Sequence, residues 1–548
     1  MSRDRSMVRR LAKPLAVAVA AALLVSACAE SANTADAATE EETSVTILQA
    51  DIGMGLIKEA GANNTEFLGA TQATLVRKPY VETTQDGVFE QDPFTYEGYL
   101  AESYEVSDDG LVYTFHLSDA VSAAGNELAA DDVLWSFELK FGADTSTAPG
   151  AMSPVITDPA TQFTKIDDKT VSITIASPGL GTTLLSMLAD ALAFVYDSTE
   201  MQANVSADDP YAIAWAQENP NYGFGPYEIT DWEVGSYARF EARDNWILGT
   251  PEVDVVNVQV VPDAGSRAST IRAGDADIVE GLSPTDAADL ATVDTLIVPT
   301  VSSPNTSQVL SLVTNKAPFD NLLVRQAISH AIPFEDIISN VYQDRAVRTG
   351  SGIVFTNTPG YDATGLPEYE YDPETARALL AEAGYPDGLS FTLTVSAADA
   401  ESQATAVQIQ TAARPAGFDV QIETVPGADF HTGRYAKIWQ ALLSVQAPWA
   451  LTPIYTLNLL TGVDSQNNMS DWEDPEFYEA LAASAEVIDQ SSAEAGAAWN
   501  IAETRLLEEV PFIQIAQVQP GIAISDRIAG YAWRTDNTVD YAHLSINE

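Results

Sequence analysis

The chain has 548 residues, 46% of them hydrophobic, and carries 79 Asp and Glu against 26 Lys and Arg, a formal net charge of -53. That length exceeds one ordinary hydrophobic core and predicts two or more lobes. The charge repels nucleic-acid phosphates and anionic lipid surfaces, and a mean hydropathy of -0.03 excludes a protein of many membrane spans.

The N-terminus carries Arg3, Arg5, Arg9, Arg10 and Lys13, followed by an apolar run from Leu15 to Val25. The run is too short to span a bilayer and has the form of a secretory signal. It ends in Val25-Ser26-Ala27-Cys28, which resembles the bacterial lipobox. Residues 1–27 are therefore expected to be a signal peptide, with Cys28 as the lipidated first residue of the mature chain. Cys28 is the one cysteine, so no intramolecular disulfide can form. Residues 28–44, rich in Ala, Ser, Thr and Glu, lack the apolar surface to fold and read as a flexible tether.

Globular pattern starts at Val45-Thr46-Ile47-Leu48, an expected strand. Residues 104–117 read as a hairpin: YEV and LVYTFHL alternate, and Ser107-Asp108-Asp109-Gly110 supplies the turn. Ala130-Asp131-Asp132 opens a helix over 133–141 with acid at its positive end. Strands follow at 171–176 and 253–261, then a helix from Ala264. Asp320 is expected to cap a helix with Val324, Ala327, Ile328 and Ala331 on one face. Asp372-Pro373-Glu374 opens another that stops at Gly384. A strand at 389–395, a helix near 405–413 and a strand at 418–425 make a βαβ unit, which implies an α/β lobe. Helices at 475–487 and 493–509 precede an expected last strand at 512–517.

The search for chemistry yields little. His116, His330, His431 and His543 form no metal-ligand pair, and no nucleophile elbow or phosphate-binding loop is present. His116 and His330 read as structural residues of a strand and a helix. No catalytic residue, metal site or cofactor is expected. An acidic surface of this kind is ordinarily just solvated, though it also attracts cationic ligands into a cleft. Aromatic residues are more suggestive. Trp439, Trp449 and Trp472 lie in one stretch with Tyr435 and Tyr455 and few charges. Core packing is the ordinary reading of each. Trp449, between Pro448 and Ala450, stands out because loops carry binding groups more often than regular elements do.

Several stretches resemble, in order, the extracellular solute-binding proteins of dipeptide, oligopeptide and nickel importers, family 5. They are LAESYEVSDDGLVYTFHL from Leu100, ADDVLWSFE from Ala130, GFGPYEITDWEVGS from Gly223 and RDNWILGTPEVDVVNVQVV from Arg243. IRAGDADIVEGLSP from Ile271, FDNLLVRQAISHAI from Phe319, YDPETARALLAEAGYPDG from Tyr371 and VPFIQIAQVQPGIAIS from Val510 complete the series. The resemblance implies an α/β fold of two lobes joined by hinge strands, with an extra domain inserted in the first. The expected division is 45–80 lobe I, 81–194 inserted domain, 195–308 lobe I, 309–515 lobe II and 516–548 the return to lobe I. Hinge strands are expected around Val309–Leu312 and Ile515–Gln517.

It implies a function too: a monomer, held to the membrane by its lipid, that closes on a peptide or similar polar ligand. ABC permease and ATPase subunits would be its partners, and no nucleic acid. Gln446 and Trp449, with Trp439, are the expected ligand contacts. One departure matters. Peptide-binding members carry an acid for the peptide α-amine in the stretch matching Ser444–Trp449, and here that stretch has no carboxylate. Either another acid supplies the charge or the ligand lacks a free amine, as an oligosaccharide does. Haem and metal chelates are less favoured ligands. A tethered hydrolase and a sensory receptor are the other classes; the first finds no motif in the sequence.

Overall fold

A computed structural model describes residues 42–52, 55–60, 65–348, 353–463 and 465–547. The first expected strand, Ser44–Gln49, is the middle one of seven in its sheet, between Val255–Val260 and Ile278–Val279, parallel to both. Its alternation explains the position. Val45 and Ile47 enter one hydrophobic cluster while Leu48 enters another, so both faces of the strand are covered. Tyr227–Glu233 and Tyr237–Ala242 extend the sheet on one side, and Ala523–Ser525 and Leu296–Ile297 on the other.

A second sheet has the strand order Ala346–Val347, Phe512–Val518, Ser307–Leu312, Ala441–Gln446, Leu389–Ser396, Phe418–Val425. Its last two strands run parallel and flank helix Ala400–Ala413, which is the expected βαβ unit. The helix starts five residues before the expected 405 because Asp399 accepts the Ser402 N–H and caps it. Asn321 rather than Asp320 caps helix Leu322–Ser329, since its side chain accepts the Leu323 N–H. Phe512–Val518 is not the last strand. Short strands at Ala523–Ser525, Ile528–Ala529, Tyr531–Trp533 and Ser545–Ile546 follow it. They are too brief for periodicity to reveal.

The 104–117 hairpin forms as Ala101–Val106 and Val112–Leu117, with Gly110 at φ +71° in its turn. It joins Phe163–Asp167 and Thr170–Thr174 in a four-stranded antiparallel sheet of its own. Residues 80–91 belong elsewhere: Tyr80–Glu82 and Val88–Gln91 form a three-stranded sheet with Tyr531–Trp533. The four-stranded sheet and its helices share one cluster with the helices that follow residue 450, so Leu184 and Leu188 are buried with Tyr455 and Trp499.

The chain crosses between the two large sheets at 298–306 and again at 519–522, just outside the strands nominated as hinges. The crossings are tied to one another. Val301 N donates to Gln519 Oε1 at 2.9 Å, and Gln519 Nε2 donates to Val301 O at 3.0 Å. Arg345 Nη2 donates to Pro299 O at 3.0 Å and to Pro520 O at 2.8 Å.

Candidate functional site

In open α/β sheets, ligands gather at the carboxyl ends of the strands. The ends of Ile278–Val279, Leu389–Ser396 and Ala441–Gln446 open here onto one cleft of about 580 Å³. Small-molecule sites run from roughly 300 to 1,000 Å³. One wall is Glu280 to Ser283 with Pro520 to Ile522 and Trp533; the other holds Gln308, Tyr342, Arg345, Asp399, Glu401 and Val445.

The first wall is held by its backbone. Arg267, 2% exposed, donates from Nε to Glu280 O at 2.8 Å and from Nη2 to Gly281 O at 2.5 Å. Leu282 N donates to Gly521 O at 2.8 Å. A Cβ on Gly521 would lie 2.4 Å from Leu282 O, so the two segments can meet only at a glycine. Behind this wall, Gln49 Nε2 donates to Glu66 Oε1 at 2.8 Å and to Glu280 Oε2 at 3.1 Å. Glu66 also accepts from Tyr541 OH and the Val539 N–H. Burial pushes both carboxyls up, furthest at Glu280, where the neighbouring Glu66 charge adds to it. Glu280 Oε1 is buried without a partner.

The second wall carries a relay of side chains. Tyr342 OH donates to Gln308 Oε1 at 2.9 Å, Gln308 Nε2 donates to Ser402 Oγ at 3.0 Å, and Ser402 Oγ donates to Asp399. Burial, with Asp399 and Glu401 nearby, pushes the Tyr342 hydroxyl up, so it stays a donor. Each link fixes the next, which holds the helix start rigid at the cleft edge.

Gln446, Trp449 and Trp439 are not among the described residues that line this cleft. Side chains alternate across the strand Ala441–Gln446, so Val445 faces the cleft and Gln446 the opposite side. There Gln446 is 7% exposed and donates to Ser444 Oγ at 3.1 Å. Trp449 is half-buried, with the Lys58 ammonium 4.5 Å from its ring centroid. Trp439 stacks on Phe430, centroids 5.3 Å apart, in a small cluster with Leu442 and Met469. Cys28 lies outside the described residues. Sequence reasoning missed Glu280, Asp399, Glu401 and Trp533. The signal for three of them was present: each acid sits just past the carboxyl end of a buried strand, in DIVEGLSP and VSAADAES. Trp533 had none, because its strand is three residues long.

A model of the bacterial extracellular solute-binding proteins, family 5 Middle, matches residues 95–468. Heme-binding protein A of Haemophilus influenzae is 28% identical over 389 residues, 67% of this chain and 68% of that protein. A dipeptide-binding protein of Pseudomonas aeruginosa is 27% identical over 453 residues, 79% of this chain and 83% of that protein. A Helicobacter pylori periplasmic binding protein associated with an ABC transporter, solved in complex with the peptide STSA, has a similar fold. The TM-score is 0.72 at 24% identity, covering 92% of this chain and 98% of that one.

Proposed function

Because the chain belongs to the bacterial extracellular solute-binding proteins, family 5, it is a transport receptor rather than an enzyme, and we propose that its cleft captures short peptides and delivers them to an ABC permease. The observation that carries this reading is the cleft itself, about 580 Å³ with walls from both large sheets. Contacts to both walls exist together only when the lobes are closed, so a ligand shifts the population toward closure. Peptide is favoured over oligosaccharide by the lining. Fixed backbone edges, an amide–hydroxyl relay and carboxylates suit peptide groups, whereas the Trp439 and Trp449 faces that would stack on sugar rings lie off the cleft. Gln446 and Trp449 serve in this reading as the wall behind the cleft, with Trp449 held against Lys58, and Trp439 packs lobe II. A monomeric state belongs to the same reading, as do two lobes that change over at the crossings 298–306 and 519–522, with residues 80–91 on the side of Tyr531–Trp533.

Native mass spectrometry of the purified protein should find a co-purified peptide. Small-angle scattering should show a smaller radius of gyration once that peptide is restored to the stripped protein. A saturated protein that scatters like the stripped one would contradict closure. Acyl chains on Cys28 would hold the receptor at the membrane's outer face, as the sequence around that residue suggests. Cys28→Ala should then move the protein from membrane to medium, and a wild-type protein found wholly in the medium would contradict the anchor.

A further inference from the structure

A second cavity, of about 40 Å³, shares no lining residue with the cleft. It lies where three stretches far apart in sequence meet: 69–99, 189–246 and 534–540. On this measure one water needs roughly 10–15 Å³, so the cavity admits a small ion and excludes a peptide. Its lining is cationic. Arg77, Lys78 and Arg534 stand against Asp540, the one carboxylate among the described residues that line it. Both oxygens of Asp540 are engaged: Oδ2 accepts from Tyr80 OH at 2.6 Å, and Oδ1 accepts the Ala542 N–H at 3.0 Å.

Donors are left over. Arg534 gives Nε and Nη2 to Asp536, while its Nη1 has no acceptor among the described residues and is not sealed in by protein. Arg77, more exposed, gives Nε to Glu97 at 2.7 Å and keeps both Nη atoms. Gln91 accepts twice from Thr535 through Oε1, which leaves its Nε2 a donor without an acceptor among the described residues. Tyr99 OH accepts from Trp246 Nε1 at 3.1 Å; burial pushes that hydroxyl up, so it keeps a proton to donate. Lys78, 3.8 Å from Asp190, adds charge. Gln72 also borders the cavity, but its Oε1 is closed off against Gly223. Donors from four side chains with no free carboxylate oxygen among them complement an anion, which accepts from every side. The net charge of -53 disfavours anions at the open surface, so an anion here depends on these short-range bonds.

We propose that this cavity binds a small monovalent inorganic anion of about chloride size, held by Arg534, Gln91 and Tyr99 with Arg77 at its entrance. The anion bridges the three stretches that meet there, and because it binds only the folded chain it stabilises that chain by mass action. The site stands apart from the cleft and does not depend on which ligand the cleft captures.

The test uses the purified full-length protein. Crystals soaked in bromide should show an anomalous peak in the cavity, within hydrogen-bond reach of Arg534 Nη1. At fixed ionic strength, replacing gluconate by chloride should raise the melting temperature along a saturating curve. Arg77→Gln should raise the half-saturating chloride concentration roughly tenfold, the loss of one charge-assisted bond. Gly69→Ala should abolish the rise. Its Cβ would sit beside the Arg534 guanidinium at an ordinary 3.8 Å, in a helix that alanine favours, so it takes up the cavity without disturbing the fold. Circular dichroism should show both variants folded. A bromide map with no peak there, equal melting in the two salts, or a chloride-dependent rise that both variants keep would overturn the site and leave the cavity to water.

Discussion

The two halves of this molecule meet across the cleft and again along an apolar seam. In the seam, Leu184 and Leu188 lie in one buried cluster with Tyr455, Leu457 and Trp499. Three polar contacts cross it: Thr183 and Thr452 hydroxyls sit 2.7 Å apart, Tyr455 OH donates to Ala151 O at 3.0 Å, and Gly179 N donates to Ala485 O at 2.8 Å. The cleft is the more polar of the two: Gln308, Tyr342, Asp399 and Glu401 line it, and the Glu401 carboxylate has no protein partner among the described residues. Apolar burial is non-directional and holds shape; polar side chains facing an open cleft add little to stability. Substitutions in the seam should therefore act on stability, and substitutions in the cleft on binding.

The largest expected effect is in the seam. Leu184→Ala empties a fully buried site and should cost about 2–5 kcal/mol in chemical denaturation. The ligand affinity of the protein that remains folded should stay within about twofold. An affinity that collapses in step with stability would erase the division of labour.

Glu503 sits in the same region, fully buried on helix Ala493–Glu509 beside the seam residues Trp499 and Leu506. Burial pushes its carboxyl up to about 7 from an ordinary 4.5. The folded state therefore holds a proton that the unfolded chain releases above about 4.5. The stabilisation from that proton is complete below the lower value and is lost as pH rises through the upper one. At about 1.4 kcal/mol per pH unit, the loss is roughly 3 kcal/mol. Thermal melts should fall between pH 5 and 8 in the wild type, and Glu503→Gln should flatten that fall. Parallel melting curves for the two proteins would place the pH dependence elsewhere.

Thr452→Val should cost about 1–3 kcal/mol, because it leaves the Thr183 hydroxyl buried and unpaired. The double variant Thr183→Val, Thr452→Val should recover part of that loss. A double variant worse than the sum of its parts would mean that the pair does more than satisfy itself. The smallest effect on stability belongs to the cleft. Glu401→Gln should change unfolding by no more than about 0.5 kcal/mol.

The frame of this fold was readable because long elements repeat their pattern. Val324, Ala327, Ile328 and Ala331 all proved fully buried, and the strands expected at 389–395 and 418–425 pair in parallel as the βαβ reading required. Asp372 capped its helix and Gly384 took the left-handed conformation, as their types suggested. The cleft was less readable for a geometric reason. Gln446 and Val445 are neighbours in sequence, yet the strand turns them to opposite faces, and only the register with Ser307–Leu312 decides which one meets the other wall. Glu280 and Asp399 lie 119 positions apart in the numbering and share a cleft only after two sheets have formed. Local pattern carries no information about such pairings, whereas the placement of ligands at strand carboxyl ends does.

The bonds that tie the two crossing segments together have a mechanical consequence. Two separate straps between two bodies would let one body twist and slide against the other as well as swing. Here Gln519 clasps Val301 through both its amide atoms, and Arg345 pins Pro299 and Pro520 with one nitrogen. Stitched in this way, the straps act as a single flexure whose easy motion is rotation about one line. Points near the stitch barely move in such a rotation, and points at the far rim sweep through the longest arc. In any such rotation, the end of the cleft beside Arg345 and Pro520 is the fixed jaw of a caliper, and the rim opposite is the jaw that moves.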